Sequence, residues 1–162
     1  MELVLERINI PKDCNVIFGQ SHFIRTCEDL YSALVESVPG IRFGLAFAEA
    51  STSCLIRGEG TDDDLKKAAQ EELARINAGH TFLIFLRNAF PINVLNAIKL
   101  TSEVTTVFCA TANPVQVILA ETDQGRGVLG VVDGSSNKGI ERPEDIKQRR
   151  DLLKRFGYKP QE

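Results

Sequence analysis

Two histidines occur in the sequence, and His80 is the one placed to do chemistry. Gly79 precedes it and the apolar run Thr81 to Leu86 follows, so its imidazole stands at the mouth of a core. A neutral imidazole there can attack a phosphorus centre and hold the phosphoryl group covalently, dividing one transfer into two, provided cations stabilise the phosphoryl oxygens. Lys99 and Arg126 are the cations expected to supply that charge. The competing reading is a hydrogen-bonded structural histidine at a strand edge. His22, in Gln20-Ser21-His22, admits the same two readings.

Gly125-Arg126-Gly127-Val128-Leu129-Gly130 satisfies G-x-G-x-x-G, yet its context excludes the two best-known uses of that pattern. A dinucleotide fingerprint opens a helix, whereas these glycines run into Val131-Val132-Asp133-Gly134, a strand followed by a turn. The V-A-I-K, H-R-D and D-F-G elements of protein kinases are missing. The glycines then read either as a tight hairpin with close strand contacts or as an anion cradle. In the cradle, Arg126 binds phosphate oxygens while Asp133 or Glu121 receives a sugar hydroxyl or a metal ion.

Two strand ends look alike: Ala46-Phe47-Ala48-Glu49-Ala50-Ser51 and Phe108-Cys109-Ala110-Thr111-Ala112-Asn113. Each runs from an apolar strand into small residues and then a polar one. A ligand ring can lie on such Ala surfaces with its polar edge read by Glu49, Ser51 or Asn113. Ordinary strand-to-turn punctuation gives the same letters. Lys147, Arg149, Arg150, Lys154 and Arg155 read most simply as the solvated face of a terminal helix, with contact to a ligand or a subunit as the alternative.

The elements that must position these groups follow from periodicity and punctuation. Strands are predicted at Glu2 to Ile10, Asn15 to Phe18, Ile41 to Ala48, Cys54 to Arg57, Thr81 to Leu86, Val104 to Ala110, Val115 to Ala120 and Val128 to Val132. Helices are predicted from a Thr26/Asp29 capping box to Val38, from a Thr61 cap to a left-handed stop at Gly79, from Pro91, and from Pro143 to Gly157. On the third helix, Asn93, Asn96 and Lys99 fall away from the apolar stripe Pro91, Val94, Leu95 and Ile98. The order ββαββαβαβββα predicts an α/β chain of mixed α+β character: a single domain over residues 1–162, with helices packed on a central mixed β-sheet.

At 162 residues the chain is one domain's length, and its charge of -3 offers no excess to attract a nucleic acid or an anionic membrane. No apolar run approaches the roughly 20 residues of a membrane span, and the N-terminus lacks the pattern of a secretory leader, so a cytoplasmic location is expected. Cys14, Cys27, Cys54 and Cys109 are widely spaced and read as buried, reduced thiols, with no metal site expected.

Several blocks taken in order carry a resemblance: Phe43-Gly44-Leu45-Ala46-Phe47, Gly79-His80-Thr81-Phe82, Phe90-Pro91-Ile92-Asn93-Val94-Leu95-Asn96, Ala110-Thr111-Ala112-Asn113-Pro114, Gly125-Arg126-Gly127, Gly130 to Gly134 and the closing Gly157-Tyr158-Lys159. Over nearly its whole length the chain resembles the adenosine-specific kinase family. That resemblance implies a homo-oligomeric α/β domain, a trimer or a multiple of one, that binds adenosine or an AMP-like nucleoside. It also implies phosphoryl transfer through a phosphorylated His80, with Lys99 and Arg126 balancing charge. Glu49, Ser51, Asn93, Asn96, Asn113 and Asp133 are the nucleoside-binding candidates. ATP or another nucleotide donor with Mg2+ is the implied cofactor. A non-catalytic nucleoside-binding or sensing oligomer is the alternative.

Overall fold

Twelve elements follow one another in the order the sequence pattern predicts, and the structure, a computed structural model, describes residues 1–158. Lys159 of the closing block lies outside the described residues. Strands β1 (Glu2–Arg7), β7 (Val115–Glu121) and β8 (Arg126–Asp133) form one sheet in the order β1-β7-β8. Strands β2 (Asn15–Ser21), β3 (Phe43–Ala48), β4 (Ile56–Gly60), β5 (Thr81–Leu86) and β6 (Val104–Thr111) form the other, in the order β4-β3-β5-β2-β6. The helices are α1 (Thr26–Ser37), α2 (Asp63–Ile76), α3 (Pro91–Leu100) and α4 (Pro143–Arg155).

The expected α+β character holds, but the expected single mixed sheet resolves into two sheets whose strand pairings are all antiparallel. The topology explains the difference. Helices α1, α2 and α3 each link two strands that run the same way, as crossovers do. Each time, however, a third strand of opposite direction lies between the linked pair: β5 between β2 and β3, β3 between β4 and β5, β2 between β5 and β6.

The central strand β5 reads TFLIFL and is buried along its whole length, as a strand covered on both faces must be. On one face Leu83 and Phe85 join Val16, Phe18, Ala46 and Ala48 beneath the α2 stripe Leu65, Ala69, Leu73 and Ile76 and the inner residues Val115, Val117 and Leu119 of β7. On the other, Phe82, Ile84 and Leu86 pack under Leu30 and Leu34 of α1 and Val94 and Ile98 of α3. Each such side chain removed from water contributes about 1.5–3 kcal/mol, so the two-faced sheet is the main source of stability. Helix α2 sits directly on β3, where a Cβ added to Gly44 would stand 2.0 Å from the Lys66 amide nitrogen.

Local details differ from the pattern for identifiable reasons. The α2 cap is Asp62, which has an extended backbone and whose side-chain Oδ1 accepts the Leu65 N–H, while the Thr61 hydroxyl instead bridges the Phe43 N–H and the Ile41 carbonyl. The Thr26 hydroxyl is likewise used by the Phe23 carbonyl and Ser21, so no side chain caps α1. Cys14, Cys27 and Cys109 are buried thiols, with burial pushing Cys27 up to about 12 and Cys109 up to about 11; Cys54, expected to be buried, is exposed. Among the described residues no helix is long and apolar enough to cross a membrane.

Asp62 joins three parts of the fold, since its Oδ2 also receives Arg42 at 2.6 Å and Arg87 at 3.2 Å. Burial alone would raise its pKa, but the Leu65 amide and the two guanidinium groups together hold it below the usual carboxylate range. A carboxylate depressed in the folded state stabilises the fold above its unfolded pKa of about 4, and that contribution is lost as pH falls through the lower folded value. Urea titrations should therefore show the unfolding midpoint dropping below pH ~4. Asp62→Asn should flatten that acid limb and cost about 1–3 kcal/mol at neutral pH. In Gly44→Ala, overpacking against α2 should cost on the order of 1–3 kcal/mol in the same assay.

Candidate functional site

At one end of the five-stranded sheet β2 and β3 finish while β4, β5 and β6 begin, so five strand termini converge. The chain enters β5 there through Asn77-Ala78-Gly79-His80. Asn77, at φ 53°, is the left-handed C-cap of α2, and its N–H donates to the Leu73 carbonyl. The stop predicted at Gly79 thus falls two residues earlier. Gly79 is needed for space, because a Cβ there would lie 2.9 Å from the Ala50 Cβ.

His80 is itself left-handed, at φ 61°. Its N–H donates to the Ala48 carbonyl at 2.8 Å, and its carbonyl accepts the Ser21 N–H at 2.9 Å. The ends of β3 and β2 therefore hold it from both sides. The imidazole stacks on Phe47, with centroids 5.8 Å apart and planes inclined by 19°, and its side chain remains 33% exposed. Its Nε2 lies 3.8 Å from Glu49 Oε1, within reach of charge but beyond a hydrogen bond.

Glu49 is the second member of the cluster, its side chain only 11% exposed. Its Oε1 accepts from the Ala50 N–H at 3.2 Å and, at the limit of 3.5 Å, from the Ser51 hydroxyl. Its Oε2 is buried and accepts no hydrogen bond, although Arg57 Nη2 stands 3.3 Å away; the pairing is one of charge, without hydrogen-bond alignment. Arg57 in turn donates to the Ile24 carbonyl. A line of groups results, Arg57 to Glu49 to His80, in which the carboxylate faces the imidazole and a cation fixes the carboxylate.

Around this line opens a cleft of about 720 Å³, within the usual range for small-molecule sites. Its surface is mostly small, with Ala48, Ala50, Ala78, Ala120, Gly125 and Gly127, and its polar groups include Gln20, Asn77, Thr122 and Gln124. A second hollow, along α4, is bounded by that one helix and holds no imidazole. Backbone strain also concentrates at the cleft. Of the five non-glycine residues with positive φ among the described residues, Cys54, Asn77 and His80 line it and Thr52 lies in its rim loop; only Asp13 is elsewhere. Left-handed Thr is a true outlier for a β-branched residue, and such strain gathers where the surrounding structure over-determines a functional site.

Arg126 lines the cleft but serves as a clasp. Its Nε donates to Glu121 at 3.1 Å, its Nη1 donates to the carbonyls of Arg75 and Ile76, and Glu6 lies 3.5 Å from Nη1. Those carbonyls belong to the last turn of α2, whose unpaired acceptors and negative dipole end favour a cation. The turn between β7 and β8 is thereby fastened to the helix that delivers His80. The glycines around Arg126 belong to the β7–β8 hairpin, where Gly127 and Gly130 pair with Ala120 and Ile118, but a Cβ at Gly125, Gly127 or Gly130 would meet nothing within 4 Å.

The remaining sequence-predicted residues are not brought to His80. Lys99, Asn93 and Asn96 are exposed on α3, which packs on the face of the five-stranded sheet opposite α2, and none lines the cleft. Asn93 instead caps α3, its Oδ1 accepting the Phe90 N–H at 2.9 Å. Asn113 and Asp133 bond to each other at 3.1 Å at the far end of the β7–β8 hairpin. The reason is direction: β6 runs antiparallel to β2, so Thr111 pairs with Val16 at the opposite end of the sheet from Ser21. The two look-alike strand ends are therefore at opposite poles, and only the Glu49 end meets the histidine.

Sequence reasoning missed Arg57, Gln20, Cys54, Thr122 and Gln124. Asn77 was legible in principle, because Asn at the end of a helical pattern favours the left-handed cap. Among the described residues no group of three or more His, Cys, Asp or Glu side chains is arranged to hold a metal ion. The clasp predicts that Arg126→Lys lowers stability by about 1–3 kcal/mol in urea denaturation, because a point charge cannot bond in three directions at once. An unchanged midpoint would remove the clasp.

A family model described as adenosine specific kinase matches residues 6–159. The crystal structure of the PH1918 protein from Pyrococcus horikoshii OT3 superposes with a TM-score of 0.94 at 45% identity, covering 99% of each chain. No curated protein matches the chain.

Proposed function

The chain belongs to the adenosine-specific kinase family, and on that premise we propose that it moves a phosphoryl group to adenosine through a covalent intermediate on His80. The observation that carries the reading is the partly exposed imidazole, pinned by its own left-handed backbone, with a largely buried carboxylate 3.8 Å from one ring nitrogen and a ligand-sized cleft beside it. Such geometry follows the nucleophile, partner and orienter logic of covalent catalysis.

Glu49 facing Nε2 favours the tautomer with the proton on Nε2, which leaves the Nδ1 lone pair as the nucleophile. In the first step Nδ1 attacks the terminal phosphorus of ATP or another nucleoside triphosphate. The N–P bond forms, the bond to the bridging oxygen breaks, and the nucleoside diphosphate leaves with that electron pair. The ring then carries a positive charge, which the Glu49 carboxylate stabilises. In the second step a hydroxyl oxygen of adenosine attacks the same phosphorus, the P–N pair returns to Nδ1, and the hydroxyl proton passes to water. The donor's Mg2+ is held by its own phosphates and enters as part of the substrate. The Ala and Gly floor suits a flat base, and the carboxamides of Gln20, Asn77 and Gln124, which make no hydrogen bond to other described residues, suit its mixed donor and acceptor edge.

One observation favours a second reading, nucleoside binding without transfer. Arg126 is the one Lys or Arg among the described lining residues, and it is already engaged. Incubation with ATP labelled at the γ-phosphate separates the two. Transfer predicts an acid-labile, base-stable label on the protein, absent from His80→Ala and chased onto added adenosine. Glu49→Gln removes the negative charge that stabilises the cationic ring formed in the first step, so it should slow labelling by about tenfold or more. Calorimetric binding of adenosine with no label on the wild type supports the second reading, and label retained in His80→Ala overturns the first.

A further inference from the structure

We propose that Glu103 and Asp29 hold one proton between them, and that this proton latches the segment framing His80, so that the cleft loosens as pH rises. The starting observation is an orphaned oxygen. Glu103, in the turn between α3 and β6, has a side chain only 5% exposed, and its Oε2 accepts no hydrogen bond from any described residue. An ionised carboxylate held there would be a buried charge with an unsatisfied acceptor, which is costly. Among the described residues its one ion pair is with Arg25, whose Nη2 is 3.9 Å from Oε1 and already donates to Asp29 Oδ2 at 2.9 Å. Arg25 is 66% exposed, and an exposed cation at that distance compensates little.

A proton on Glu103 removes the difficulty, because the neutral acid donates a hydrogen bond to the Asp29 carboxylate beside it. Environment sorts the two partners. Asp29 lies in the first turn of α1, where the helix dipole and Arg25 favour its charge, while Glu103 is buried. The hydrogen bond with Asp29, together with burial, raises the Glu103 pKa; the same bond, together with Arg25, lowers that of Asp29. The carboxyl groups therefore titrate as a pair. Of the other charged or titratable groups around them, His22 gives its main-chain N–H to the Glu103 carbonyl and Glu28 is exposed beside Asp29. Glu36 lies two turns along α1, the exposed Lys99 is the single charge on α3, and β2 and β6 carry none.

The latch reaches the cleft through the connector His22-Phe23-Ile24-Arg25, which joins β2 to α1. At its start the Ser21 N–H donates to the His80 carbonyl at 2.9 Å, and the His22 N–H donates to the Glu103 carbonyl at 3.0 Å. In its middle the Ile24 carbonyl accepts from Arg57, the cation that faces Glu49. At its end Arg25 spans the two carboxyl groups. Phe23 and Ile24 are 47% and 51% exposed, so little apolar burial holds this segment, and it opens more easily than the sheet. When the proton leaves to water, two like charges stand in contact, and opening the connector separates them. An acid whose folded pKa is raised stabilises the folded arrangement below its unfolded value of about 4.3, and that contribution is lost as pH rises through the folded value. The latch stands on these contacts alone; its bearing on phosphoryl transfer rests on the reading proposed above.

Amide hydrogen exchange of the full-length chain provides the test. In the wild type, the protection factors of Ser21 and His22 should fall by about tenfold or more between about pH 5 and 8, relative to those of Leu83 and Phe85 in β5, since each unit of a raised pKa is a factor of ten. Glu103→Gln keeps a donor for Asp29 at every pH, and Asp29→Asn removes the like charge, so each should abolish the fall. Both replacements match the native side chain in size, and the folded variants retain His22 and His80. A fall caused by either imidazole would therefore persist in them, and its persistence overturns the proposal. Flat protection in the wild type overturns it too, as does a fall that Leu83 and Phe85 share equally. Labelling of His80 from ATP over the same range should decline more steeply in the wild type than in Glu103→Gln, and equal declines in a labelled protein overturn the link from latch to cleft. A wild type that takes no label at any pH removes the transfer reading, while the exchange result still decides the latch.

Discussion

The structure turns on two main-chain hydrogen bonds at one residue. His80 gives its N–H to Ala48 and takes the Ser21 N–H on its carbonyl, which ties the head of the central strand to the ends of both neighbours. Satisfying both places a non-glycine residue in the left-handed region, a cost of order 1–3 kcal/mol that persists only because the sheet over-determines the position. The imidazole is thereby aimed by the backbone and by Phe47, with little left to side-chain rotation. A residue whose ring must meet an incoming phosphorus within a few tenths of an ångström benefits from being fixed in this way.

What delivers the histidine is as important as what holds it. Helix α2 is anchored at its start by Asp62, which gathers Arg42, Arg87 and the Leu65 amide, and at its end by Arg126, which takes the last carbonyls of the helix. Between these two anchors the helix lies against β3 so closely that only glycine fits at position 44. The four residues from Asn77 to His80 therefore start from a rigid point and finish on a rigid sheet. The site depends on charges well away from it, because both anchors are ionic and their loss would free the end of the helix that carries the cleft wall.

The element order was legible throughout, because apolar periodicity and the Gly, Pro and Asn punctuation are local properties. The Glu49 and His80 pairing was half legible: each residue stood out by its neighbours, but nothing local says that β3 and β5 are adjacent and antiparallel. Direction is the missing quantity. The Asn113 strand end has the same letters as the Glu49 end and sits at the opposite pole only because β6 runs against β2. Lys99 and Asn96 lie away from this cleft for a related reason, since periodicity gives the polar face of α3 without saying which side of the sheet that helix covers. The family blocks grouped these residues correctly as parts of one fold, yet several of them serve helix capping or hairpin closure.

Arg126 shows how a chemically suggestive residue can be consumed by architecture. A guanidinium flanked by glycines invites assignment to a phosphate, but here three of its directions are filled by Glu121, Glu6 and the α2 terminus. A side chain at the glycines beside it would open onto free space, so no close approach there requires glycine. In the transfer proposed above, Arg126 is therefore not free to balance charge on the phosphoryl oxygens, which falls to the Mg2+ that the donor brings with its own phosphates. The buried Glu49 stabilises the cationic ring rather than the phosphate. That division matches the wall that the cleft presents: one histidine facing one carboxylate, an arginine already engaged, and otherwise mostly small side chains and neutral polar groups.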